Sequence, residues 1–207
     1  MSSQHTKNYL RLTLLRLVLL ITVITIVITV MVLNNRSEPP KKIPTAVVKP
    51  VNINKPLLIT SLPIRLNIQS INVDAAIDYT GLTPDGAMEV KKDTERVSWY
   101  SIGPRPGEIG SAVIAGHYGW FNGKGSVFNK LQNLKKGDEV LVIDEKNVTN
   151  YFIVRESHKY NPDANAPEVF TSSDNKSHLN LVTCNGTWDE AKQTYSNRLV
   201  IFTDKKI

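Results

Sequence analysis

The stretch Leu179-Asn180-Leu181-Val182-Thr183-Cys184 decides how this chain is read. A short, nearly continuous apolar run of this kind has the composition of a buried β-strand. It ends in the only cysteine of the 207 residues. Fourteen residues on, Arg198 opens a second run, Arg198-Leu199-Val200-Ile201-Phe202. A third, Ala112-Val113-Ile114-Ala115-Gly116-His117, lies far upstream and ends in histidine. A thiol, an imidazole and a guanidinium at strand ends are the parts thiol-based acyl transfer needs. The thiolate attacks a carbonyl, the imidazole handles protons and the guanidinium holds the developing oxyanion.

Working outward, the flanking sequence has the same short-strand character. Leu62, Ile64, Leu66 and Ile68 alternate with Pro63, Arg65, Asn67 and Gln69, the period of a half-buried strand that Ile71-Asn72-Val73 continues. Thr83-Pro84-Asp85-Gly86 marks a turn. Residues 126–131 suggest a brief helix with Ser126 as N-cap. Lys136-Gly137-Asp138 turns into an apolar run over 139–143, and a further strand covers 150–156. Residues 162–170 make a polar connection with room for a turn of helix. Many short strands, few small helices and no internal repeat predict an all-β fold closed into a barrel. About 150 residues are enough for one hydrophobic core.

The N-terminal third differs. Residues 17–33 are all apolar or threonine, and Leu12, Leu14 and Leu15 extend the run. A bilayer span takes roughly 20 apolar residues, so 10–33 is read as a transmembrane anchor behind a short tail, 1–9. The stretch is longer than a signal-peptide core and no small-x-small site follows it. Lys7, Arg11 and Arg16 before the span nearly balance Arg36, Lys41, Lys42 and Lys49 after it, so the positive-inside count does not set orientation. Residues 34–56, rich in Pro, Lys and Asn, form an extended linker. The folded part is then 57–207.

Charge supports this division. Residues 1–50 hold seven Lys/Arg against one Asp/Glu, whereas 51–207 hold eighteen of each. The net charge of +6 therefore flanks the anchor, where anionic headgroups attract it. A neutral folded part argues against nucleic-acid binding, which needs a basic face. A single cysteine allows no intrachain disulfide.

Each candidate residue has a plainer reading taken alone. A thiol in an apolar strand usually just packs, but Cys184 precedes Asn185-Gly186, where the strand is expected to open into a loop. Of four histidines only His117 stands between a buried-type strand and a Gly-rich segment; His158 and His178 lie in polar sequence. No second ligand sits at a familiar spacing from it, so no metal is expected. An arginine at a strand edge is commonly a solvated charge. Together, on one barrel face, the three make a site.

Ala115-Gly116-His117, Leu181-Val182-Thr183-Cys184 and Asn197-Arg198-Leu199-Val200 resemble the three signatures of sortases, membrane-anchored cysteine transpeptidases of Gram-positive-type bacteria. Gly125–Phe128, Leu131, Leu134 and Gly137-Asp138 also match that family's short helix and following strand. The resemblance implies an eight-stranded sortase barrel and cleavage of a C-terminal Leu-Pro-x-Thr-Gly-like signal on secreted proteins. The acyl group would pass to an amine such as a peptidoglycan cross-bridge or precursor. It implies Cys184 as nucleophile, His117 as acid and base, and Arg198 as oxyanion donor. Thr183 would add a backbone or hydroxyl contact, and Val169, Phe170 and Trp188 would receive the Leu-Pro part. It also implies a single-pass protein of the bacterial cell membrane with an extracytoplasmic catalytic domain. No organic cofactor is called for, and acidic residues are scattered rather than grouped for calcium. No Asp-Pro-Trp-type lid motif precedes the barrel, unlike pilus-assembling members; the class is left open. Two rivals remain, a cysteine hydrolase and a silent membrane-tethered binding module. The Ser-x-Gly-Cys signature of peptidoglycan L,D-transpeptidases is not present at Cys184.

Overall fold

The computed structural model describes residues 22, 24–29, 31 and 61–206. Contacts divide the chain into two units, Met1–Asn54 and Lys55–Ile207. The described residues of the first are helical, with Ile24, Ile26, Val27, Ile28 and Met31 exposed. Among the described residues no helix is long and apolar enough to cross a membrane. The rest of the span expected over 10–33, the tail 1–9 and the linker 34–56 lie outside the described residues.

Among the described residues the second unit has ten strands: β1 (Pro63–Ile68), β2 (Val73–Thr80), β3 (Val97–Tyr100), β4 (Gly110–Gly116), β5 (Trp120–Phe121), β6 (Lys124–Gly125), β7 (Glu139–Asp144), β8 (Thr149–Tyr160), β9 (Ser177–Asp189) and β10 (Thr194–Lys205). Eight close into a barrel in the order β1-β2-β3-β4-β9-β10-β8-β7, with β7 pairing back onto β1. The all-β barrel expected from the sequence is thus the fold found. Its helices are single 3-10 turns at Gln69–Ile71, Leu131–Asn133 and Pro167–Val169. Neighbours run antiparallel except β2–β3 and β4–β9. A parallel pair needs a crossover, so a long arm over 81–96 joins β2 to β3, and everything from β5 to β8 lies between β4 and β9.

Alternation fills the barrel. Leu66 and Ile68 on β1, Phe152 on β8, Leu179 and Leu181 on β9, and Ile201 on β10 are completely buried. Each such side chain stabilises the fold by roughly 1.5–3 kcal/mol through removal from water. Phe128, from the segment before β7, joins the same core.

Four local expectations are corrected. Ile71-Asn72-Val73 does not continue a strand: Asn72 takes a left-handed φ of 55° and reverses the chain between β1 and β2. Ser126 caps no helix; its hydroxyl is buried without a partner, and the 3-10 turn begins only at Leu131. Cys184 does not end its strand, because β9 runs on to Asp189 against β10. Arg198 does not open one, because β10 begins at Thr194.

Candidate active site

Successive side chains on a strand face opposite ways. Ala112 and Ile114 on β4, Leu179 and Leu181 on β9, and Leu199 and Ile201 on β10 belong to the main core. Val113, Val182 and Val200 therefore point outward, where they gather with Val169 and Phe202 in a second apolar cluster. By the same parity His117, Cys184 and Arg198 lie on this outer face. Register sets their level. Arg198 stands directly opposite Cys184 across β9–β10. Ala115 stands beside Val182 across β4–β9, so two residues further on His117 comes level with Cys184. Three adjacent strands thus present imidazole, thiol and guanidinium in one row.

A groove of about 450 Å³ runs past all three. Val182, Val200 and Val169 form its floor; Met88 and Val90 of the 81–96 arm make one wall, with Phe170 and Tyr160 among the residues opposite. The Tyr160 hydroxyl donates to Glu168 at 2.9 Å. Burial, and then that carboxylate, push its pKa up to about 12, so Tyr160 stays a neutral donor.

His117 is half-buried, and its Nε2–H donates to the Lys91 carbonyl at 2.7 Å. A carbonyl only accepts, so this bond leaves Nδ1 for proton transfer. The arm is tied in turn, Lys91 N–H donating to the buried Ser98 Oγ at 3.1 Å. Beneath His117 the Phe128 ring packs so closely that a Cβ on Gly116 would lie 2.6 Å from it. Glycine is needed there for space.

Thr183 faces the barrel interior. Its Oγ1 donates to the Gly116 carbonyl at 2.7 Å, a buried bond that pins the end of β4 beside β9. Of the backbone or hydroxyl contact expected of Thr183, the hydroxyl is engaged in this latch, while the residue itself borders the groove. Cys184 is half-buried and free. Burial pushes its thiol pKa up, and the Arg198 guanidinium opposes that shift. The guanidinium bonds only neutral oxygens: Nη1 reaches the Tyr195 and Asn197 carbonyls at 3.3 Å each, and Nη2 reaches Thr194 Oγ1 at 3.0 Å. Its charge is left to act on the thiol.

Val169 and Phe170 line the groove. Trp188 does not. It stacks edge-on with Tyr195 at 5.1 Å, outside the lining, because hairpin pairing carries it past the groove end. Tyr195 also packs on Tyr118 and presses its hydroxyl against Gly119, whose φ of 100° and lack of a Cβ permit the approach. His178, read as lying in polar surroundings, is buried between Asp204 (Nδ1, 2.8 Å) and Asp174 (Nε2, 3.0 Å). Asp174, four residues before it, was the available signal. The arm residues Met88, Val90 and Lys91 were missed. Val182 and Val200 follow by parity once Cys184 and Arg198 are chosen. Among the described residues no group of three His, Cys, Asp or Glu side chains is placed to hold a metal.

With this barrel and row of residues in place, the class and family follow. Residues 66–206 match the sortase domain family, and the chain belongs to it. Among solved structures it is similar to sortase A from Corynebacterium diphtheriae, 19% identical with a TM-score of 0.55 over 70% of this chain and 61% of that one. It is similar to sortase C-1 from Actinomyces oris, 22% identical with a TM-score of 0.56 over 70% and 71%. Sortase C1 from Streptococcus agalactiae matches at 19% identity and a TM-score of 0.56, over 70% and 67%. At such identities the likeness speaks for the fold. The chain spans less than two thirds of the diphtheria protein's length. No curated protein matches it.

Proposed function

We propose that this sortase is a cysteine transpeptidase that cleaves a Leu-Pro-x-Thr-Gly-like signal on secreted proteins and joins the new acyl end to an amine. The observation that carries this reading is the row of His117, Cys184 and Arg198 along one apolar groove. The groove receives the Leu-Pro part of the signal against Val169 and Phe170. The Cys184 thiol passes its proton to His117 as its sulfur attacks the threonine carbonyl carbon; Arg198 holds the oxyanion; the C–N bond breaks, and His117 gives that proton to the leaving glycine amine. The incoming amine then attacks the thioester, yields its proton to His117 and expels the sulfur. One amide is exchanged for another, so no outside energy source is required. The apolar run over 10–33 supports a single-pass membrane protein, and action on secreted proteins requires the barrel to lie outside the cytoplasm.

The test is to incubate the full chain, wild type and Cys184→Ala, with Leu-Pro-x-Thr-Gly-like peptides and amine nucleophiles, and to read products by mass spectrometry. Ligation after threonine that needs Cys184 is expected. Cleavage with water as sole acceptor would favour a hydrolase, and transfer by Cys184→Ala would refute the mechanism.

A further inference from the structure

The groove accounts for one substrate of two. The acceptor amine must also reach His117, and the structure offers a second cavity on the hairpin beside that residue. The β5–β6 hairpin turns through Asn122 and Gly123, with φ of 49° and 77°, the two left-handed residues of a tight hairpin turn. Its base is fixed to the His117 segment: Ser126 N–H donates to the Gly119 carbonyl at 2.8 Å and Phe128 N–H to the His117 carbonyl at 3.0 Å. The Phe121 ring lies 6.5 Å from the imidazole. Its neighbour Trp120 is 71% exposed, a large aromatic surface left in water on a rigid support.

Trp120 walls a cavity of about 430 Å³ that shares no lining residue with the groove. This lies within the size range of small-molecule sites. Ile71, Val73 and Val127 add apolar wall, and Asn72, Asp74, Glu95, Lys124, Asn129 and Lys130 supply polar groups. Ser126, also lining it, is 5% exposed, and its hydroxyl has no hydrogen-bond partner in the protein. Asp74 pairs with Arg65 at 2.6 Å and Glu95 with Lys124, and with Lys130 the lining holds two carboxylates and two ammonium groups. A lining with no net charge and two carboxylates disfavours a phosphate or nucleic acid. One aromatic platform ringed by amides and paired ions suits a ligand with an apolar face and a rim of hydroxyl and amide groups. An N-acetylated pyranose has that form.

We propose that this cavity binds an N-acetylhexosamine unit of the acceptor and so brings its linked amine to His117 from the hairpin side. That the sugar carries the acceptor amine rests on the transpeptidase reading; sugar binding itself does not. The experiment titrates the full chain with peptide-free N-acetylglucosaminyl-N-acetylmuramic acid and reads binding by calorimetry and saturation-transfer NMR. Saturable binding is expected in wild type and in Cys184→Ala. Trp120→Ala, and Asn72→Gly, which keeps the left-handed backbone but loses the amide, are each expected to weaken it by about tenfold or more. Trp188→Ala is expected to leave it unchanged. No saturable binding to wild type, or equal affinity in Trp120→Ala, overturns the site. In a second arm, Trp120→Ala pre-acylated on Cys184 should lose far more of its transfer to the disaccharide-linked amine than of its transfer to triglycine. Equal loss on both acceptors overturns the acceptor role. Failure of acylation would sink the transpeptidase reading, while the titration still decides the sugar site.

Discussion

Replacing Thr183 with valine removes one buried hydroxyl and keeps the side chain's shape. The hydroxyl donates to Gly116 at 2.7 Å inside the barrel, so the variant places a methyl group against a carbonyl that has lost a donor. Leaving a buried acceptor short of its partner costs roughly 1–3 kcal/mol, and a carbonyl with a second lone pair falls toward the lower half of that range. With a urea m-value of about 2 kcal/mol/M, a loss of about 1.5 kcal/mol lowers the midpoint by roughly 0.7 M. Thr183→Ser supplies the contrast: it keeps the donor and removes one buried methyl, at a cost near 1 kcal/mol. The latch also places His117, one residue beyond Gly116, so acyl transfer should fall more in the valine variant than in the serine variant. Urea unfolding of the full chain followed by tryptophan fluorescence, with peptide cleavage on the same samples, gives both quantities. A valine variant as active as wild type, or a serine variant less active than valine, would refute the latch.

Gly116→Ala forces a Cβ to 2.6 Å from the Phe128 ring; overpacking of this kind costs about 1–3 kcal/mol, seen as a lower urea midpoint together with reduced cleavage. Burial raises the Cys184 thiol and Arg198 lowers it, so alkylation by iodoacetamide should climb with pH into the alkaline range, and Arg198→Gln should move the climb further alkaline. An unmoved profile would remove Arg198 as the source of that field. His178 holds the Asp174 carboxyl below the usual carboxylate range, helped by the Lys176 N–H. Its contribution is therefore present above the unfolded value, roughly 3.9, and is lost as pH falls through the lower folded value. Asp174→Asn should flatten the acid limb of Tm against pH, and an unchanged limb would show that the pairing adds nothing to stability.

What sequence made legible here was side-chain chemistry set on apolar runs. The runs at 111–115, 139–143, 179–184 and 198–202 all lie within strands, and His117, Cys184 and Arg198 stand on one face because parity and register act on those runs. Strand ends were harder to see. The stretch from Asn185 to Asp189 is polar, the composition of a loop, yet β10 supplies it with backbone partners. The same pairing carried Trp188 away from the groove that its place in sequence suggested. The arm's contribution to His117 is the Lys91 carbonyl. Every residue has a carbonyl, so no choice of amino acid could announce it.

Because the reactive row sits outside a closed barrel, its strands carry two instructions interleaved residue by residue. Leu179, Leu181 and Thr183 answer to the interior, while Asn180, Val182 and Cys184 answer to the outer face. Val182 and Val200 of the groove floor can thus be exchanged without replacing any residue that fills the barrel. A library confined to outward positions would sample specificity while folding stays constant, a separation that enzymes with sites sunk into their own cores do not have.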